Sequence, residues 1–251
     1  CPNAIATVTV AVNAAPNAGT NATVTHCSNA PQFNLFAVLG GTPSPGGTWT
    51  APGGSASNGT FTPGTSNPGP YTYTVMGIAP CANATAVVTV NIVQAPNAGT
   101  NGNTTVCATS ASFQLFGLLG GTPNPGGSWT APGGAAHNGT FTPGTSVPGT
   151  YTYTALGTSP CSNANSTVTV GVVQPPDPGG NGSLTVCSNG ASVSLFNSLS
   201  GTPDVGGTWT RPNGQPHSGT LNPVTDTVGT YTYTVNGTAP CSALSSTVQV
   251  A

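Results

Sequence analysis

Aromatic and aliphatic residues alternate with threonine and asparagine along much of this chain. TYTYTV at 230–235 sets tyrosines against threonines, and TAVVTVNIV at 85–93 puts Val88, Val90 and Ile92 on one side and Thr89 and Asn91 on the other. A period of two belongs to a strand with one buried face, and no stretch carries the 3.6 period of a capped helix. FNLFAVL at 33–39 and FQLFGLL at 113–119 are denser apolar runs that predict a central strand. GTWT at 47–50 and GTFT at 59–62 predict short strands, bounded by the Gly-Gly and Asn-Gly pairs that hairpin turns require. Six or seven short strands in about 80 residues, with frequent turns, predict a β-sandwich.

The pattern recurs. Cysteines fall at 1, 27, 81, 107, 161, 187 and 241, with gaps alternating 26 and 54, so the period is 80. Trp49, Trp129 and Trp209 keep that period, as do the Tyr71/Tyr73, Tyr151/Tyr153 and Tyr231/Tyr233 pairs. PNAGTN at 16–21 returns at 96–101 and decays to PDPGGN at 176–181. The expected organisation is three domains at 16–95, 96–175 and 176–251, joined as a rod through the stiff Pro-containing junctions QAP (94–96) and QPP (174–176). Residues 1–15 stand outside these copies. CPNAIATVTVAV (1–12) matches CANATAVVTVNI (81–92) and CSNANSTVTVGV (161–172), and reads as the terminal strand of a preceding, incomplete repeat. Cys1 has the position of a lipid-modified first residue, yet it falls in register with Cys81, Cys161 and Cys241. It is therefore assigned as an inter-repeat or inter-subunit cysteine.

Copies of this size are marginal as isolated cores, and a disulfide is the expected remedy. The preferred pairing places one in each copy: Cys27–Cys81, Cys107–Cys161 and Cys187–Cys241. Pairing across the 26-residue gaps, which would link neighbouring copies, remains the alternative. Either scheme implies an oxidising, extracellular location.

Charge narrows the function. The chain has one Lys+Arg (Arg211) and three Asp+Glu (Asp177, Asp204, Asp226), where an ordinary domain of this length carries about 60 charged residues. One arginine cannot displace the counterions of a nucleic acid. Three scattered aspartates make no calcium site, and paired groups for general acid/base work are nearly missing. No apolar run approaches the ~20 residues of a membrane span. His26, His137 and His217 lack the spacing of metal ligands, and Asp204, His217 and Asp226 occupy turn-like contexts without a nucleophile elbow. No cofactor, metal or catalytic residue is assigned, and the protein is expected not to be an enzyme. Trp49, Trp129, Trp209, Tyr73, Tyr153 and Tyr233 are assigned to the core. The alternative makes the Trp and Tyr residues a carbohydrate-stacking or surface-binding face.

PGGTWT, NGTFTPGTS, PGTYTYTV and the PC…TVTV ending, with the C-x₂₅-C unit, resemble the Ig-like tandem repeats of large secreted surface proteins of Bacteroidota. These include the gliding-motility-associated adhesins exported by the type IX system. The resemblance covers nearly the whole chain. It implies an all-β fold of tandem Ig-like sandwiches on an extracellular or cell-surface fibre. Asp226-Thr227-Val228 is similar to the O-glycosylation acceptor of the same bacteria, which marks Thr227. The antibody signature itself is absent, since Trp49 lies 22 residues after Cys27 and no tyrosine stands two residues before Cys81.

The expected function is that of a structural, non-catalytic repeat protein, a segment or subunit of a cell-surface adhesin or extracellular filament. Its expected partners are copies of itself, with surface glycans second. A near-neutral surface favours that association. A donor-strand arrangement, with residues 1–15 completing another subunit, is one form it could take.

Overall fold

A computed structural model describes residues 1–251. It is all-β, with seven strands in each copy and three single 3₁₀ turns. The first copy contains β1 (Ala22–Cys27), β2 (Phe33–Asn34), β3 (Thr48–Thr50), β4 (Ala56–Ser57), β5 (Thr60–Phe61), β6 (Gly69–Val75) and β7 (Ala84–Val93). The second contains β8 (Gly102–Cys107), β9 (Phe113–Gln114), β10 (Ser128–Thr130), β11 (Ala136–His137), β12 (Thr140–Phe141), β13 (Gly149–Ala155) and β14 (Ala164–Val173). The third contains β15 (Gly182–Leu184), β16 (Val193–Ser194), β17 (Thr208–Thr210), β18 (Pro216–His217), β19 (Thr220–Leu221), β20 (Gly229–Val235) and β21 (Leu244–Val250).

Each copy builds a five-stranded sheet, ordered β1-β7-β6-β3-β4 in the first, and a two-stranded sheet from β2 and β5. The first and last strands of a copy are neighbours and run parallel, with Ala22 opposite Val88 and Cys27 opposite Val93. The other pairs are antiparallel, and Tyr73 sits between Trp49 and Ala86. This is a tandem Ig-like β-sandwich fold. Backbone contacts divide the chain into two compact units, residues 1–97 with 155–164, and residues 98–154 with 165–251.

Alternation sets the core. On β6 and β7, Tyr71, Tyr73, Ala86, Val88 and Val90 point inward and are almost fully buried, while the intervening threonines lie nearer solvent. Burying each large apolar side chain contributes roughly 1.5–3 kcal/mol. The Trp49 ring lies 5.0 Å from Tyr73, tilted against it. Tyr73 keeps its hydroxyl satisfied by accepting the Gly47 N–H at 2.8 Å and donating to the Ser44 carbonyl at 2.7 Å. Gly47 is obligatory there, because a Cβ would stand 2.6 Å from the Tyr73 ring and 2.5 Å from the Thr74 carbonyl oxygen.

The apolar run at 33–39 is not a central strand. It forms a two-residue strand, then a 3₁₀ turn over Leu35–Val38. Asn34 starts the turn by accepting the Phe36 N–H on its side chain, and the turn drives Leu35 wholly into the core. The second and third copies make the same turn over Leu115–Leu118 and Leu195–Ser198.

Residues 1–13 form no strand, and Ile5, Val8, Val10 and Val12 are exposed. No helix is long and apolar enough to cross a membrane.

Candidate functional site

The chemistry of the chain lies in its cysteines. Cys27 ends β1, where it is buried beside its strand partner Val93. Val93 leads straight into the next copy through Gln94, Ala95 and Pro96. Cys161 sits in the turn between β13 and β14, a tip of definite construction. The Gly157 N–H donates to the Asn163 side chain at 2.9 Å, the Cys161 N–H donates to the Thr158 carbonyl at 2.9 Å, and the Ser159–Pro160 bond is cis. Gly157 admits no side chain, because a Cβ would lie 2.5 Å from the Cys161 carbonyl oxygen.

Cys27 and Cys161 are bonded to each other, and so are Cys107 and Cys241. Each bond spans 134 residues and closes at a Cα–Cα distance of 4.9 or 5.0 Å. The expected pairs Cys27–Cys81, Cys107–Cys161 and Cys187–Cys241 do not form, nor do pairs across the 26-residue gaps. There is no staple within a copy. Each staple joins the first strand of one copy to the hairpin tip of the next.

Strand direction is the reason. Cys27 lies opposite Val93 at the far end of β7, whereas Cys81 precedes Ala84 at its near end. Nine residues of extended strand separate these ends by about 30 Å, and a disulfide needs Cα atoms within about 7 Å. A copy therefore cannot bridge its own two cysteines. The tip of the following copy reaches Cys27 instead, and the Cys161 sulfur rests 3.3 Å from the Val93 carbonyl oxygen, which also accepts the Ser28 N–H at 2.8 Å. The Cys107–Cys241 joint repeats this, with its sulfur 3.4 Å from the Val173 carbonyl oxygen and that oxygen accepting the Ala108 N–H. Taken singly, a loop of this length stabilises by ~5 kcal/mol on chain-entropy grounds. The two loops share residues 107–161, so together they contribute less than twice that.

Cys1, Cys81 and Cys187 carry free thiols. Cys1 and Cys187 are exposed and Cys81 is half-buried.

The tryptophans offer no face to a sugar. Trp49, Trp129 and Trp209 are at most 8 % exposed, and Tyr73, Tyr153 and Tyr233 at most 2 %. Each Trp packs on the Tyr of its copy at about 5 Å. The carbohydrate-stacking alternative fails on this point, since a stacking platform must be open to its ligand.

The third copy gathers three charged or titratable side chains that sequence leaves scattered. Arg211 Nη1 donates to Asp226 Oδ1 at 3.0 Å, and His217 Nε2 lies 3.3 Å from Asp226 Oδ2. The backbone N–H of Asn222 donates to Asp226 Oδ2 at 2.8 Å, and this bond, more than His217 or Arg211, holds the carboxyl below the usual carboxylate range against the opposing effect of burial. In the other copies Ser66 and Ser146 stand at this place and accept the same turn N–H, from Thr62 and Thr142. The cluster is thus a charged version of a turn bond. Asp204 is not part of it: its side chain accepts the Asp177 N–H. His26 stacks on Phe33, and His137 packs on Tyr151 while accepting the Gly139 N–H. Thr227 is exposed.

The sequence matches no protein-family profile and no curated protein sequence. Among solved structures the chain is similar to the I-band fragment I67–I69 from titin, at 16% identity over 92% of this chain and 95% of that one, with a TM-score of 0.47. It is also similar to Sidekick-1 immunoglobulin domains 1–4, at 15% identity over 94% of this chain and 76% of that one, TM-score 0.32. The four N-terminal Ig domains of Dscam1 isoform 6.9 give 11% identity over 97% and 73%, TM-score 0.32. The fold assignment rests on the sheet order itself.

Proposed function

We propose that this chain is a load-bearing extracellular repeat array, a segment or subunit of a cell-surface adhesin or filament, self-associating and without catalytic activity. The observation that carries this reading is the pair of disulfides that reach from one copy to the next. A staple inside a domain protects that domain, whereas a staple between domains fixes their connection, which is the property an array under tension needs. Disulfides persist outside the reducing cytosol, which supports an extracellular site. The near-absence of charge leaves neighbouring copies without mutual repulsion, which supports self-association. The resemblance to Bacteroidota surface repeats points the same way, and the exposed Thr227 is available to the glycosylation its motif suggests.

Antibodies raised against the chain test the proposal by immuno-electron microscopy of unpermeabilised source cells. Label along fibres or on the outer surface is the expected result. Label confined to the cytoplasm would overturn it.

A further inference from the structure

We propose that the turn at Asn138–Gly139 is a self-modifying site, in which His137 serves as general base while Asn138 loses ammonia and becomes aspartate or isoaspartate.

Loss of ammonia from an asparagine makes three demands. The backbone nitrogen of the next residue must give up its proton, it must reach the carboxamide carbon, and the carboxamide oxygen must be stabilised as charge develops on it. The turn between β11 and β12 answers each of them. His137 Nδ1 accepts the Gly139 N–H at 3.0 Å. An imidazole protonated at Nε2 thus aims its free lone pair at the proton that must leave. The Asn138 side-chain oxygen accepts the Thr140 N–H at 2.9 Å. That bond is an Asx turn, which bends the carboxamide back toward the backbone it must meet and sets a donor on its oxygen. Glycine is obligatory at 139, where φ is +82° and a Cβ would stand 2.9 Å from the Trp129 ring, so no side chain shields the attacking nitrogen. His137 is held in place against the Tyr151 ring at 4.8 Å, and Asn138 is exposed to water.

The other copies supply the comparison. NGTFTPGTS occurs at both 58–66 and 138–146, and Asn58 makes the same Asx turn, accepting the Thr60 N–H at 2.9 Å. There Ser57 replaces the histidine, and its hydroxyl oxygen accepts the Gly59 N–H at 3.2 Å. A hydroxyl is far too weak a base to take that proton. In the third copy His217 Nδ1 accepts the Gly219 N–H at 3.1 Å, but Ser218 stands where the asparagine would be. The first copy has the carboxamide without the base, the third the base without the carboxamide, and the second has both.

The Gly139 nitrogen passes its proton to His137 Nδ1 and bonds to Asn138 Cγ. The Cγ–Nδ2 bond breaks, and Nδ2 departs as ammonia with that proton, which restores the imidazole. Water then opens the succinimide. Attack at Cγ gives aspartate, and attack at the backbone carbonyl gives isoaspartate. One water enters and one ammonia leaves. Either product adds a carboxylate to a chain of net charge −2, and isoaspartate also inserts a methylene into the backbone between β11 and β12.

The test incubates the full oxidised chain at neutral pH and follows the peptides containing Asn58 and Asn138 by mass spectrometry. Asn138 should lose ammonia ~100-fold faster than Asn58, the lower end of what a positioned base supplies. His137→Ser should bring Asn138 down to the rate of Asn58, and Ser57→His should raise Asn58 toward that of Asn138. Each variant installs a residue that another copy already carries at that place. In urea, with the disulfides reduced, the two rates in the parent chain should converge, because the turn geometry is gone. Equal rates in the native chain, a site whose rate its variant leaves unmoved, or a ratio that persists in urea would overturn the proposal.

Discussion

Pulling the oxidised chain by its ends distinguishes interlocked staples from separate ones. The shortest covalent route from Cys1 to Ala251 runs 26 residues to Cys27, crosses to Cys161, returns 54 residues to Cys107, crosses to Cys241 and ends 10 residues later. That is about 90 residues, or roughly 310 Å at ~3.4 Å each, against about 250 residues and roughly 850 Å after reduction. Cys27→Ser or Cys107→Ser alone opens one staple and lengthens the route by about 26 residues, a gain of roughly 90 Å. The two together add roughly 540 Å, about three times the sum of the single gains. Staples within each copy would start from almost the same length but give additive gains of roughly 180 Å each. They would also make Cys81→Ser lengthen the chain, which interlocked staples leave unchanged. Single-molecule force spectroscopy with protein handles at both termini reads these lengths directly. Additive gains, or any lengthening with Cys81→Ser, would refute the interlocked arrangement.

Changing Gly157→Ala should crowd the Cys161 tip and keep Cys27–Cys161 open, which thiol titration of the native chain would reveal as two thiols beyond the three now free. Tyr153→Phe strips the Gly127 N–H of its partner and should cost ~1–3 kcal/mol in denaturant unfolding; an unchanged midpoint would contradict the role given to that hydroxyl. Asp226→Ala should cost about as much, ~1–3 kcal/mol, by orphaning the Asn222 N–H. Asp226→Ser should recover most of the loss in thermal melts, since serine holds this turn in the first two copies. Because the Asp226 carboxyl titrates below its unfolded value of 3.8, its stabilising contribution is complete above that pH and disappears as the pH falls through the lowered value. Melts of Asp226→Ser should therefore lose less stability than the parent on acidification.

Alternation made β6 and β7 legible, because TYTYTV and TAVVTV each show one apolar face and a strand needs nothing more. The run at 33–39 misleads because apolar residues at every position are compatible with a buried strand and with a turn. Its one local cue is Asn34, and the third copy has Ser194 there without a capping bond. The alternating gaps of 26 and 54 separate Cys27, Cys107 and Cys187, which follow a copy's first strand, from Cys81, Cys161 and Cys241, which precede its last, and what spacing hides is the copy that supplies the mate. That depends on β1 running parallel to β7, a long-range pairing with no local signature. The same pairing offers the one available signal: in parallel strands a cysteine at the end of one and a cysteine before the start of the other lie too far apart to bond. The Arg211–Asp226–His217 cluster is hidden for a similar reason, since the β17–β18 hairpin that carries Arg211 and His217 meets the turn that carries Asp226 only after the sheet has formed.

The two disulfide loops overlap, and together they enclose every peptide bond from Cys27 to Cys241. A single cut by a protease or by oxidative cleavage anywhere in that span leaves both fragments attached. Only the 26 bonds before Cys27 and the 10 after Cys241 can part the molecule at one stroke. A chain rich in glycine loops offers many places for such a cut, and here a nick in one loop becomes a local scar instead of a severed strand.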